Sequence, residues 1–144
     1  MSNKAQDYRK MHRTHRKTMI DLAKRDADWD WVYLHSFVMA KIQHMYEMYT
    51  EGYSIFQTEE SLKVCIDSLQ HILNLQAEID ALSKEDVLRG NMTAKRMEIC
   101  EDGSYVSTID EVIDRSIAEH NKRINDLYTE MYAYIGQHMQ YWKD

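Results

Sequence analysis

The sequence predicts an all-α fold, and the prediction depends on what the chain lacks and on how its apolar residues repeat. It contains no proline and only four glycines among 144 residues. Proline interrupts helices because it removes a backbone donor and clashes with the preceding turn. Several long stretches repeat apolar residues every three or four positions, which is the spacing of one helix face. We therefore expect a single helical domain over residues 1–144, a bundle of four main helices with a short hairpin or loop before a long C-terminal helix.

The first helix is predicted over residues 5–25 and has two distinct faces. Its apolar residues share an arc of about 80°, and they are Tyr8, Met11, His15, Met19 and Leu22. Its basic residues share an arc of about 100° on the opposite side, and they are Arg9, Arg13, Arg16, Lys17 and Lys24. We expect the first face to pack and the second to form a positively charged stripe.

The second and third helices are predicted to run from the acidic segment 26–30 to about Glu51 and over residues 58–82. The apolar line of the second consists of Trp31, Leu34, Val38, Ile42, Met45 and Tyr49. Thr58 can cap the third helix. The inner face of the third is predicted to be Leu62, Ile66, Leu69, Leu73 and Gln76, widened by Ile72 and Ile79. Cys65 lies beside this stripe and is expected to be a small core residue.

The segment between the third and the last helix contains the least helical part of the chain. Ser83–Asp86 resembles a capping box for a separate short turn, which Gly90 would end. Residues 91–107 contain the Asp102-Gly103 pair, a hairpin signal. A small hairpin and a loop both remain open for this segment.

The last helix is predicted from a capping box at residues 108–111 to the aromatic residues near position 142. Nine residues repeat at spacings of three and four along its whole length, and they are Ile113, Ile117, His120, Ile124, Leu127, Met131, Ile135, His138 and Trp142. Because this seam is long enough to extend past a bundle, we expect the helix to contribute to a homo-oligomer.

The charge of the chain is divided unevenly along its length. Residues 1–25 contain eight Lys or Arg and two Asp, a net charge of +6, whereas the remainder contains ten basic and 22 acidic side chains, a net charge of −12. The candidate ligand-binding residues are therefore on the first helix, and they are Arg9, His12, Arg13, Arg16 and Lys17. They suit a phosphate-bearing ligand or an acidic protein surface. The other interpretation is that the stripe is solvated or forms ion pairs with acidic helices of the same bundle.

No catalytic or metal-binding motif is evident, so we expect a non-enzymatic protein without a cofactor or metal. His120 and His138 are separated by about 27 Å of helix and cannot share an ion. A helical metal-dependent nucleotide hydrolase needs carboxylates one turn apart on two helices, and Glu47/Glu51 and Asp110/Asp114 have that spacing. Each is a single pair on an otherwise solvated helix face, however, and the E-x-x-E plus E-x-x-D arrangement of the all-α nucleotide pyrophosphatases is not present. Duplex DNA binding is disfavoured because the acidic remainder of the chain would repel phosphates. No run of about 18 apolar residues occurs, so we expect no membrane association and a cytoplasmic protein.

Two patches of sequence resemble small uncharacterised proteins of tailed bacteriophages. They are the acidic-aromatic start of the second helix, residues 28–34, and the ending rich in aromatic residues, residues 135–144. The resemblance implies an all-helical accessory protein of the host cell cytoplasm that counters a host defence. Its mode of action would be sequestration of a phosphate-bearing nucleotide or direct inhibition of a host protein. A DNA-binding or transcription-modulating protein is the alternative, and the nucleotide hydrolase ranks third.

Overall fold

The computed structural model describes residues 3–25, 31–53, 58–89, 95–109 and 111–142, which form four main helices and one β-hairpin. The helices are α1 (Asn3–Arg25), α2 (Trp31–Thr50), α3 (Glu59–Arg89) and α4 (Glu111–His138), and a single 3₁₀ turn (Met139–Tyr141) follows α4. The strands are β1 (Lys95–Ile99) and β2 (Tyr105–Ile109). The predicted fold class, an all-α bundle of four main helices with a short hairpin or loop before a long C-terminal helix, is confirmed.

The chain forms two compact units. Unit 1 contains Met1–Asn74 together with Gln137–Asp144, and unit 2 contains Leu75–Gly136. The helices α3 and α4 therefore supply residues to both units. The expectation of one domain stays a prediction.

In unit 1, α1 packs with the face that its periodicity predicts. Met11, His15, Met19 and Leu22 are half-buried, whereas every other α1 side chain that the structure describes is exposed. The two-faced character of the first helix is therefore confirmed for its packing side.

The burial of α2 differs from the prediction in two ways. Its first turn is exposed, with 57% of Trp31 and 66% of Leu34 accessible, so the predicted apolar line is buried only from its second turn onward. His35 and His44 are both buried, together with Ile42 and Tyr49. Because positions nine apart lie on opposite sides of a helix, α2 is buried on two sides and not along one stripe.

The α3 residues of unit 1 are rotated relative to the predicted inner face. Cys65, Leu69 and Ile72 are fully buried, whereas Leu62 and Ile66 are only half-buried. The centre of the buried line is displaced by roughly 60° around the helix. Small residues explain the displacement. Cys65 and Ser68 occupy little volume, so this side of the helix can be buried while their polar groups stay satisfied.

The segment after α4 returns to unit 1 and is held there by hydrogen bonds. The Trp142 indole N–H donates to Ser68 Oγ at 2.7 Å, and Ser68 Oγ donates to the Cys65 carbonyl at 2.8 Å. The Tyr49 hydroxyl donates to the Trp142 carbonyl at 3.4 Å. Burial of Ser68 therefore leaves its hydroxyl satisfied in both directions.

Unit 2 is built from the second half of α3, the hairpin and most of α4. Its core contains Leu75, Ile79, Leu127 and Met131. His120, a member of the repeat predicted for the last helix, is buried with Nε2 3.0 Å from the Leu82 carbonyl.

The separate turn predicted at residues 83–90 was wrong, because α3 continues through Ser83 to Arg89. Once a helix is formed, each further residue adds one hydrogen bond. A potential capping side chain such as Ser83 contributes only about 1 kcal/mol, and no Pro or Gly lies between positions 75 and 89 to oppose propagation.

The segment for which the sequence allows a hairpin or a loop contains an antiparallel hairpin, with Met97 opposite Ser107 and Ile99 opposite Tyr105. Gly103 adopts φ +83° in its turn, a conformation that favours glycine. The Asp102 carboxylate accepts hydrogen bonds from the Ser104 N–H at 2.9 Å and the Ser104 hydroxyl at 2.6 Å, and these bonds lower the Asp102 pKa.

The capping box predicted at residues 108–111 was wrong in its first position. Thr108 belongs to β2 and pairs with Arg96 in the ladder, and α4 begins at Glu111. The predicted seam of α4 is nevertheless confirmed, because all nine of its residues are buried or half-buried.

Candidate functional site

Four basic side chains of α1 form an exposed surface that we call the basic face: Arg9, Arg13, Arg16 and Lys17. In the part of the chain that the structure describes, none of the four forms an ion pair. The ion pairs found there are Lys122–Asp126 and Arg123–Glu78, both in unit 2. The basic face is therefore not neutralised by the described acidic residues of its own chain.

The basic face follows directly from helical periodicity. Its members are separated by four, three and one positions, which keeps them on one side of α1. Met11 and His15 lie on the other side and are half-buried toward α2. Packing of α1 therefore holds the four cations toward solvent along about 12 Å of helix axis.

His12, the fifth residue predicted for the site, contacts aromatic rings. Its imidazole is parallel to the Tyr8 ring, with centroids 6.1 Å apart and an interplanar angle of 3°. It also lies 6.1 Å from the His44 ring. Tyr8 meets Tyr53 edge-on at 5.5 Å. The structure thus places His12 in a row of rings at the α1–α2 boundary.

The closest ring pair in this row is His15 with His44. Their centroids are 3.9 Å apart and their planes differ by 2°. Burial, followed by the neighbouring positive charges of His15, Lys41 and His12, lowers the pKa of His44 from 6.5 to about 4, with Glu47 opposing the change. Burial also lowers the pKa of His15, with Lys41 as the next cause. Both imidazoles are therefore uncharged at neutral pH, and each carries one donor and one acceptor nitrogen.

A groove of about 420 Å³ lies beside this stacked pair, between α1 and α2. It is lined by Asp7, Lys10, Met11, Thr14, His15, Thr18, Ala40, Gln43, His44 and Glu47. None of the five predicted site residues lines it, whereas Lys10 does. The sequence therefore located the charged stripe but missed the groove on the adjacent flank of the same helix.

The geometry of the stacked pair does not suit a shared metal ion. The nitrogen lone pairs of an imidazole lie in the plane of its ring, so two parallel rings at 3.9 Å direct their lone pairs side by side and not toward one point. Among the described residues, no group of three or more His, Cys, Asp or Glu side chains could hold a metal ion. What the site offers is charge and hydrogen bonding, which suits binding.

Comparison of the chain with protein-family models, curated proteins and solved structures finds no match. Among the described helices, none combines the length and the apolar character that crossing a membrane requires.

Proposed function

We propose that this chain is a non-enzymatic binding protein that uses the basic face of α1 to dock on an acidic partner. The observation that carries the proposal is that Arg9, Arg13, Arg16 and Lys17 are all exposed and have no ion-pair partner among the described residues. Four like charges on one helix face repel one another, and an acidic partner relieves that repulsion.

The shape of the basic face favours a macromolecular partner over a compact nucleotide. Small-molecule sites are concave and enclose most of their ligand, whereas the four side chains lie along the outer side of one helix. A ridge of about 12 Å can instead meet a broad acidic surface. Sequestration of a phosphate-bearing nucleotide therefore receives less support than direct inhibition of a host protein.

The charge of the rest of the chain favours a protein over a nucleic acid. Residues 26–144 carry a net charge of −12, which would repel the extended phosphates of a duplex on either side of α1. A protein surface that is acidic, or that mimics nucleic acid, can be limited to the area of the basic face. DNA binding and transcription modulation are therefore the weaker alternative.

The resemblance of residues 28–34 and 135–144 to phage proteins supplies the biological setting of the proposal. A phage accessory protein that occupies an acidic component of a host defence would act by binding alone, in the host cell cytoplasm. It would need neither a catalytic residue nor a cofactor. The proposal therefore requires only the surface described above.

Charge reversal with recovery of the partner tests this proposal. The tagged chain is expressed in a bacterial host, crosslinked and recovered, and the bound material is separated into protein, nucleic acid and small molecules. We expect an acidic protein with the native chain and loss of it with Arg13→Glu/Lys17→Glu. Lys63→Glu/Lys84→Glu is the matched control, since these two lysines are exposed on α3 and should leave recovery unchanged.

Three results would overturn the proposal or replace it with an alternative. Equal loss of the partner in both double variants would show general electrostatics and not docking by α1. A nuclease-sensitive partner whose affinity falls steeply with salt would favour the DNA-binding alternative. A specific nucleotide that raises the melting temperature would favour sequestration.

A further inference from the structure

The groove between α1 and α2 has a charged end and an uncharged end. The two helices are antiparallel, since Tyr8 near the start of α1 contacts Tyr53 beyond the end of α2. Asp7 and Lys10 of α1 therefore lie at the same end as Glu47 of α2. The opposite end is formed by Thr18 and Ala40, as their positions along the two helices require.

The opposite charges at the charged end do not form ion pairs with each other among the described residues. Lys10 forms no ion pair with Asp7 or Glu47 among the described residues, although all three line the same groove. Glu47 Oε1 accepts one hydrogen bond from Gln43 Nε2 at 2.9 Å, and a carboxylate accepts up to about four. One cation and two anions are thus available to a ligand in a single small space.

Between the two ends the groove contains a buried polar side chain that has no hydrogen-bond partner among the residues that the structure describes. His44 is 6% exposed and lines the groove. Its ring contacts the rings of His12 and His15, and no described residue forms a hydrogen bond with its nitrogens. A buried donor or acceptor left without a partner loses the hydrogen bond that water supplies in the unfolded chain, which is unfavourable. A ligand in the groove can supply the missing hydrogen bond.

We propose that this groove binds a small zwitterion of the α-amino acid type with an uncharged side chain. The ligand ammonium lies against Asp7 and Glu47, the ligand carboxylate pairs with Lys10, and the side chain points toward Thr18 and Ala40. His44 contributes a hydrogen bond to the head group. The volume of about 420 Å³ lies within the range of small-molecule sites, which is about 300–1,000 Å³.

Other ligand chemistries fit the lining less well. A nucleotide phosphate would meet Lys10 but also the carboxylates of Asp7 and Glu47, and like charges in a shared site disfavour binding. A simple organic cation satisfies those carboxylates but leaves Lys10 in repulsion. A zwitterion is the ligand whose two charges match both signs in the groove. Because the groove does not include the basic face, this inference stands independently of the proposed function.

Calorimetric titration of the full chain with L-leucine, L-phenylalanine and L-glutamine tests the inference. The tightest binder is then compared with its amide, which lacks the carboxylate, and with its N-acetyl form, which lacks the ammonium. We expect each derivative to bind at least about tenfold more weakly than the free amino acid, because each loses one charge-assisted hydrogen bond. This comparison needs no variant, so it does not depend on how any variant folds.

Variants of the groove then assign each ligand charge to a residue. Lys10→Met should weaken binding of the amino acid about tenfold and should not weaken binding of its amide. Glu47→Gln should weaken binding of the amino acid similarly and should not weaken binding of the N-acetyl form. Lys63→Met and Glu119→Gln are the matched controls, since both residues are exposed and lie outside the groove.

The inference is overturned by any of three results. The first is absence of binding for all three amino acids at about 10 mM, a concentration that still detects a dissociation constant in the millimolar range. The second is equal affinity for the amino acid, its amide and its N-acetyl form. The third is a loss of affinity in the control variants as large as in the groove variants.

Discussion

Acidification should destabilise the packing of α1 on α2, because the stacked pair of His15 and His44 must be uncharged in the folded state. Burial and nearby positive charge lower the pKa of His44 from 6.5 to about 4. The folded chain therefore resists protonation at this ring, whereas the unfolded chain takes up the proton near pH 6.5. The stabilising contribution is fully present above pH 6.5 and is lost as the pH falls toward 4.

The size of the effect follows from the two pKa values. A fall from 6.5 to about 4 corresponds to about 3 kcal/mol in the free energy of unfolding at 1.36 kcal/mol per pKa unit, and about 2 kcal/mol of it is lost by pH 5. His44 is 6% exposed, so solvent screens this contribution little. The groups that act on its charge are His15, Lys41 and His12, which disfavour protonation, and Glu47, which favours it.

The assay is urea unfolding at about pH 7.5 and about pH 5, followed by circular dichroism, for the native chain and for His44→Phe. Phe keeps an aromatic ring against His15 and removes the titration. Carboxylates titrate alike in both chains, so the difference between the chains isolates His44. We expect the loss of stability between the two pH values to be about 2 kcal/mol smaller in His44→Phe.

An NMR titration of the His44 ring checks the same prediction directly. Half-protonation near pH 4 is expected. Half-protonation near pH 6.5 would refute the reasoning, as would the same pH dependence of stability in His44→Phe and the native chain. In either case the stacked pair would be open to water, contrary to the burial described above.

The remaining predictions concern the core, the hairpin, the returning segment and the assembly. Ile72→Ala, at a position with 0% exposure, should cost about 2–5 kcal/mol in urea unfolding, whereas a loss below about 1 kcal/mol would contradict the described core. Gly103→Ala should destabilise the hairpin by about 1–2 kcal/mol, because the φ angle of Gly103 is +83°. The loss is measurable as faster amide exchange in β1 and β2. Trp142→Phe should lower the free energy of unfolding by about 1–3 kcal/mol, because it removes the indole donor to Ser68. Ser68→Ala in the Trp142→Phe background should then lower it little further. Sedimentation at micromolar concentration should show a dimer or larger species, and monomer alone would contradict the expected homo-oligomer.

The periodic elements of the fold could be predicted from the sequence because each is determined within one helix. The packing face of α1 depends only on the spacing of residues such as Met11 and Met19, and the seam of α4 depends on the same rule over its whole length. The Asp102-Gly103 pair indicates the turn locally, although the sequence left a hairpin and a loop both open for residues 91–107. In these places local preference and final structure agree.

The groove and the stacked histidines could not be predicted because they depend on the register between two helices. The apolar face of the first helix includes His15, but nothing in the sequence of either helix says that its ring meets the His44 ring at 3.9 Å. The position of His15, a polar residue on an otherwise apolar helix face, was the only feature of the sequence that pointed to the stacked pair. The rotation of α3 was missed for a similar reason, because residues as small as Cys65 and Ser68 contribute little to a hydrophobic pattern.

The return of Trp142 to Ser68 and Tyr49 has a consequence for how the chain is made. These hydrogen bonds join residues 74 and 93 positions apart, and the whole of unit 2, Leu75–Gly136, lies between them in the sequence. During synthesis, α1 and α2 leave the ribosome first, yet the contacts of Trp142 cannot form until well over half of the chain has followed. Closing such a long span costs entropy before any contact offsets it. We therefore expect a nascent chain that stops before residue 137 to leave Ser68 without its indole donor, so that unit 1 is completed last although its translation begins first.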